Sequence, residues 1–157
     1  MKTFIIVSDT HRNRLPLDRM DGLFKENDYI IHLGDLSSDG GYIRQKYPQK
    51  TIVLNGNCDL DKLGEDEKVL EVEGVKIFMC HGHMYGVKQN LSRLASAAKD
   101  RGCQAALYGH THTPRVDEID GVKLINPGTL SRYSENTYCF MAVTNGRIVE
   151  KITRINA

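Results

Sequence analysis

The sequence predicts an α/β fold of two packed mixed β-sheets flanked by helices, a four-layer α/β/β/α sandwich. Three observations predict it. The first third alternates short apolar strands with helical stretches. The rest is punctuated by two-residue glycine turns between β-rich runs. Five of the apolar runs end in loops that carry Asp, His or Asn beside a glycine. Alternating β and α units imply parallel strands with right-handed crossovers, and the tight turns imply antiparallel hairpins. Two sheets covered on their outer faces by helices satisfy both demands.

Thr3–Ser8 is β-branched and aromatic without polar alternation, which reads as a strand buried on both faces. Leu17–Lys25 places Leu17, Met20, Leu23 and Phe24 on one helical face. Tyr29–Leu33 is a second buried strand, Gly41–Tyr47 a short helix stopped by Pro48, and Thr51–Leu54 a third strand. Lys68–Val72 and Val75–Cys80 pair around Glu73-Gly74. Leu91–Lys99 is an Ala-rich helix closed by Gly102, and Ala105–Tyr108 is a short buried strand. Asp120-Gly121 and Asn145-Gly146 join Val116–Ile119 to Val122–Ile125 and Tyr138–Thr144 to Arg147–Ile152.

The 157 residues, 40% of them hydrophobic, suit one domain over 1–157 with a sizeable core. Lysine and arginine number 21 against 20 acidic residues, so the net charge is +1. Phosphate-neutralising proteins usually carry a larger basic excess, so general nucleic-acid binding is not expected. The opening apolar run, Phe4–Val7, is too short for a signal peptide, and nothing approaches the ~20 apolar residues of a membrane span. A cytoplasmic protein without membrane partners is expected; an oligomer is compatible with the sequence but not predicted by it. Cys58, Cys80, Cys103 and Cys139 form no C-x-x-C pair, so neither a zinc ribbon nor a redox dithiol is expected. Three of them sit in apolar settings as core thiols; Cys58 lies in the polar turn Asn55–Asp59.

The chemistry gathers at strand ends. His11 follows the first strand in Asp9-Thr-His11, and Asp35 ends the second in Gly34-Asp35. Asn57 and Asp59 follow the third, while His81-Gly-His83 and His110-Thr-His112 each follow a buried strand. Ligand sites collect beyond the carboxyl ends of parallel strands, and this many ligands exceeds the needs of one ion. Carboxylate, imidazole and amide oxygen without clustered thiolates suit Mn²⁺, Fe, Zn²⁺, Co²⁺ or Ni²⁺, with too much imidazole for Mg²⁺. A shared Asp among separated His ligands suggests two bridged ions able to ionise a water and clamp a phosphoryl oxygen.

Asp9-x-His11, Gly34-Asp35, Gly56-Asn57, His81-Gly-His83 and Gly109-His110-x-His112, in this order, resemble the calcineurin-like metallophosphoesterases. The resemblance is nearest to the small bacterial and archaeal phosphodiesterases and includes the turn Asn126-Pro-Gly-Thr129. It implies a dinuclear phosphodiesterase in which a metal-bridging hydroxide attacks a small phosphodiester. Asp9, His11, Asp35 and His112 would surround the first ion, and Asp35, Asn57, His81 and His110 the second, with Asp35 bridging. Mn²⁺ is the expected ion, with Ni²⁺, Fe, Zn²⁺ and Co²⁺ as alternatives. Asn57, Cys58 and Asp59 are the catalytic candidates beside the metals. Where the family turn usually carries a histidine as general acid, this chain has Cys58. A neutral thiol with pKa ~8.5 is a weaker donor than imidazolium, so poor leaving groups would lack proton donation. Asp59 is either an orienting group for position 58 or a turn stabiliser. His32 reads as a buried, hydrogen-bonded core residue, and His83 as either a substrate contact or a loop cap. The alternative reading is a protein-interaction scaffold with a phosphoesterase fold, resembling the retromer subunit.

Overall fold

The computed structural model describes residues 1–155. One sheet contains β1 (Lys2–Val7), β2 (Tyr29–His32), β3 (Thr51–Val53), β9 (Thr137–Thr144) and β10 (Arg147–Arg154), in the order β10-β9-β1-β2-β3. The other contains β4 (Glu67–Val72), β5 (Val75–Cys80), β6 (Ala105–Leu107), β7 (Arg115–Ile119) and β8 (Val122–Asn126), in the order β4-β5-β6-β8-β7. In the first sheet β1, β2 and β3 run parallel, and β9 and β10 add an antiparallel edge. The second sheet also has a parallel centre, β5-β6-β8, between antiparallel edges β4 and β7. That parallel centre goes beyond the hairpins read from the sequence, because strong turn signals hide the longer crossovers between them.

Alternation along each strand builds the layers. Phe4 and Ile6 of β1 point between the sheets, where they meet Ile31, Leu33, Ile77, Met79, Leu107 and Ile125. Ile5 and Val7 face the other way and pack against Leu17, Met20, Phe24 and Ile43. Leu17 comes from α1 (Leu15–Arg19), Phe24 from α2 (Asp21–Glu26) and Ile43 from α3 (Ser37–Lys46), with Met20 at the junction of the first two. On the far side, Phe78, Cys80, Ala106 and Leu124 carry α4 (Ser92–Asp100) through Leu94, Ala95 and Ala98. The result is the four-layer sandwich. Cys80, Cys103 and Cys139 are buried, and Cys58 is exposed. No helix among the described residues is long and apolar enough to cross a membrane.

Two boundaries differ from expectation. The helix read as Leu17–Lys25 is two short helices, because Met20 leaves helical geometry at φ −89°, ψ 1°. Its apolar side chains still face one core, so the periodicity survives the break. The next helix starts at Ser37, four residues before the expected Gly41. Ser-Ser-Asp-Gly has no apolar stripe, yet Ser37, Asp39 and Gly40 are buried there by packing and hydrogen bonds.

Candidate metal centre

Because β1, β2 and β3 are parallel, their carboxyl ends share one rim, and β5 and β6 likewise end together in the second sheet. The loops beyond these ends are stitched across the rim by backbone bonds. Asp9 N–H donates to Gly34 O (2.9 Å), His11 N–H to Asp35 O (3.1 Å) and Gly109 N–H to His81 O (2.9 Å). Asp9, His11, Asp35, His110 and His112 all adopt left-handed backbone conformations, with φ of 54°, 45°, 46°, 71° and 64°. Non-glycine residues rarely sit there, and such strain clusters where side chains must be aimed at a site. Two glycines permit the approach of loop to carboxylate. A Cβ on Gly56 would lie 2.0 Å from Asp35 Oδ1, and one on Gly109 would lie 2.7 Å from Asp9 Oδ2.

The side chains fall into two groups, Asp9–His11–His112 and Asp35–His81–His110, each with its ligand atoms within 4.8 Å of one another. The groups adjoin. Asp9 Oδ1 lies 3.2 Å from His112 Nε2, 3.7 Å from His11 Nε2 and 3.8 Å from His81 Nε2. Asp35 Oδ2 lies 3.3 Å from His81 Nε2 and 3.9 Å from His11 Nε2. Each carboxylate therefore faces an imidazole of the other group. His81 Nδ1 sits 2.7 Å from Leu33 O, so this nitrogen carries the proton and donates. Nε2 is left with a bare lone pair, the tautomer that a metal ligand needs. Ser8 Oγ and His110 N–H hold Asp9 Oδ2 at 2.6 and 3.0 Å, and Cys58 N–H holds Asp35 Oδ1 at 2.9 Å.

Asp9 Oδ1 and His81 Nε2 are buried and have no hydrogen-bond partner. An acceptor oxygen and an imidazole nitrogen left unsatisfied side by side are compensated by a shared positive charge, a proton or a bound metal ion. The donor set, carboxylate and imidazole without thiolate, suits a first-row divalent ion. Charge is arranged to match. Burial works against both carboxylates, yet the surrounding imidazoles outweigh it; Asp9 lies well below the usual carboxylate range and Asp35 at about 2. Burial disfavours a charged His81, but Asp35 and Asp9 overcome it and raise its pKa, so a proton and a metal ion compete for Nε2. Burial and the neighbouring His81 push His110 down to about 4, which keeps it neutral and able to ligate.

The remaining predicted residues lie around this core. Asn57 is exposed at the rim, its amide directed at Cys58 Sγ (3.7 Å). Burial, and then the Asp35 carboxylate, raise the Cys58 thiol. Both Asp59 oxygens are occupied by backbone amides, those of Gly56 (2.6 Å), Ser37 (2.6 Å) and Asp35 (3.2 Å). This carboxylate ties the β2 and β3 loops together. His83 lies beside the second group, 5.5 Å from His81 and 6.1 Å from His110 between ring centroids. His32 is fully buried; Gly34 N–H donates to its Nδ1 (3.1 Å), which leaves Nε2 to donate to Thr10 Oγ1 (3.1 Å).

Sequence reasoning missed the scaffold behind the Asp9–His11 loop. The fully buried Asp39 accepts from the Thr10 hydroxyl, from Arg12 N–H (2.9 Å) and from Arg14 Nε (3.0 Å). Thr129 Oγ1 donates to Asp9 O (2.8 Å), a contact to which the Asn-Pro-Gly-Thr turn was the only pointer.

The calcineurin-like phosphoesterase superfamily domain matches residues 1–146, and the chain belongs to that superfamily. Its metal-dependent members are phosphoesterases, in agreement with the two acid–imidazole groups. A probable metallophosphoesterase of Mycoplasma pneumoniae is 31% identical over 157 residues, covering 94% of each chain. The phosphodiesterase YfcE of Escherichia coli K12 is 26% identical, over 83% of this chain and 80% of its own. Among solved structures, zinc-complexed Vps29 of Entamoeba histolytica superposes with a TM-score of 0.78. That match covers 98% of both chains at 17% identity, a likeness of fold.

Proposed function

We propose that the protein is a dinuclear-metal phosphodiesterase acting on small phosphodiesters, with residues 1–157 forming one domain. Asp9, His11 and His112 would hold the first ion and Asn57, His81 and His110 the second, with Asp35 between them. The observation that carries this reading is the pair of buried, unpartnered atoms, Asp9 Oδ1 and His81 Nε2, placed 3.8 Å apart where the two groups meet. Mn²⁺ is the first choice of ion, with Ni²⁺, Fe, Zn²⁺ and Co²⁺ compatible with the same donors. When bound, two such ions supply a nucleophile ionised at neutral pH and neutralise charge on the phosphoryl oxygens.

The chain's own part is orientation. The Leu33 carbonyl fixes His81, and the Ser8 hydroxyl with His110 N–H fixes Asp9, so both ligands are preset before substrate arrives. Asn57 at the rim carries an amide that can turn from Cys58 to an ion or a phosphoryl oxygen. The raised Cys58 thiol stays neutral and donates weakly, which favours esters whose alcohol leaves without a proton. The name of the YfcE relative supports the diester over the monoester.

The alternative reading, a protein-interaction scaffold, is compatible with the likeness of fold to Vps29. Competent donors at every one of the seven ligand positions weigh for the enzyme. The test is a screen of mono- and diesters on metal-free protein resupplied with Mn²⁺, Ni²⁺, Zn²⁺ or Mg²⁺. Metal-restored diester turnover is expected; no turnover with any ion overturns the reading.

A further inference from the structure

A cavity of about 400 Å³ lies directly against the loop that carries His110 and His112. Its volume falls in the ~300–1,000 Å³ range of small-molecule sites. One wall comes from the segment after β5, where Val87 and Leu91 supply apolar surface and Lys88 an exposed ammonium. The other comes from Tyr108 and from Thr111, the residue between the two histidines. The cavity thus flanks the metal centre on the side of the second sheet.

Its polar groups are donors. The Tyr108 side chain is completely buried, yet its hydroxyl has no hydrogen-bond partner. The Asn126 amide nearby is committed to Gly109 O (3.2 Å) and Thr111 Oγ1 (3.0 Å). Thr111 Oγ1 accepts that bond and another from Thr113 N–H (3.2 Å), which leaves its own O–H to donate. Lys88 has no ion pair among the described residues, whereas Arg115 is held in a two-pronged bond by Asp117 (2.6 and 2.8 Å). No carboxylate lines the cavity. It therefore offers one free cation, two hydroxyl donors and no competing anion. A buried hydroxyl without a partner is disfavoured, and a ligand acceptor removes that cost.

We propose that this cavity is a substrate subsite for a diester arm ending in a second phosphate, with Lys88, Tyr108 and Thr111 as its specificity-determining contacts. The inference rests on the phosphodiesterase reading above and names its substrate class. A terminal phosphate brings three acceptor oxygens to three donors, and charge-assisted bonds are the strong ones. A neutral glycerol or alkyl arm satisfies the hydroxyls but leaves Lys88 unused.

The test compares 4-nitrophenyl 2-phosphoethyl phosphate with 4-nitrophenyl 2-hydroxyethyl phosphate on the Mn²⁺-loaded enzyme. The two differ only in the terminal phosphate. The phosphorylated arm is expected to raise kcat/KM by about tenfold or more, mainly through KM, as charged hydrogen bonds do. Lys88→Ala should bring the ratio of the two substrates close to one, and Tyr108→Phe should lower it by several-fold. Lys99→Ala, an exposed lysine on α4, should leave the wild-type ratio in place. Equal kcat/KM for the two esters in wild type, or a ratio kept in Lys88→Ala, overturns the subsite and leaves the phosphodiesterase reading standing. Turnover of neither ester by loaded enzyme overturns both.

Discussion

The two halves of the candidate centre are built to different standards. In the Asp35–His81–His110 half, the Asp35 and His81 side chains are 4% and 0% exposed, a backbone carbonyl fixes the His81 ring, and only His110 is half-buried. In the Asp9–His11–His112 half, Asp9 is equally buried, but His11 and His112 keep 35% and 39% of their side-chain surface. Exposed imidazoles retain hydration and rotamer freedom that they must surrender on ligation. Buried, pre-oriented ligands have given these up on folding. The difference teaches that a two-ion centre of this kind need not bind its ions equally. The inner half should fill first and hold its ion, and the outer half should exchange.

The change that would break the comparison most severely is Asp35→Ala, because this carboxylate faces imidazoles of both halves. Diester turnover at saturating Mn²⁺ should fall by roughly 10³-fold, the upper end of what one lost electrostatic stabiliser costs. His11→Ala touches the outer half alone. It should cost ~10–100-fold, comparable to losing one supporting contact of a metal site, and excess Mn²⁺ should restore part of it. Equal residual activity in the two variants at saturating metal would remove the shared role of Asp35.

A third change displaces Asp35 without deleting a ligand. Gly56→Ala drives a Cβ against Asp35 Oδ1, whereas the Cβ of Gly102→Ala meets nothing within 4 Å, on a backbone at φ +72°. Both variants should lose some stability, Gly102→Ala through backbone strain. Only Gly56→Ala should also weaken the tighter of two Mn²⁺ binding steps, by about tenfold, as displaced ligand support does. Calorimetric metal titration of both proteins decides. The smallest effect concerns Cys58, which leans on the inner half through its N–H to Asp35 Oδ1. Cys58→His should raise turnover of alkyl esters or monoesters relative to activated aryl diesters by about tenfold, below the 10²–10⁴ of a fully placed general acid. An unchanged ratio would show that proton donation at this position is not limiting.

How much of this could be read from residues alone divides along the same lines. All six Asp and His ligand candidates stand at strand ends, and chain order with glycine punctuation was sufficient to gather them. Asp39 was not legible: it lies in a polar, glycine-containing stretch that looks like solvent-facing loop, and only tertiary packing buries it beneath Thr10 and Arg14. Asp59 left two roles open in the sequence because its three amide donors come from two loops far apart in the chain. The outward amide of Asn57 was equally invisible, since a turn motif specifies backbone and not where a side chain points. The helix break at Met20 escaped because apolar periodicity records which face is buried, and that face is continuous across the break.

The central claim is that two unequal metal sites share one cleft. Metal-free protein titrated with Mn²⁺ in a calorimeter, with elemental analysis of the dialysed product, tests it most directly. The account predicts two resolved steps reaching two ions per chain, the first tighter, and His11→Ala should abolish or weaken the second step while sparing the first. A plateau at one ion or none, or a His11→Ala protein that loses the tighter step, would contradict it.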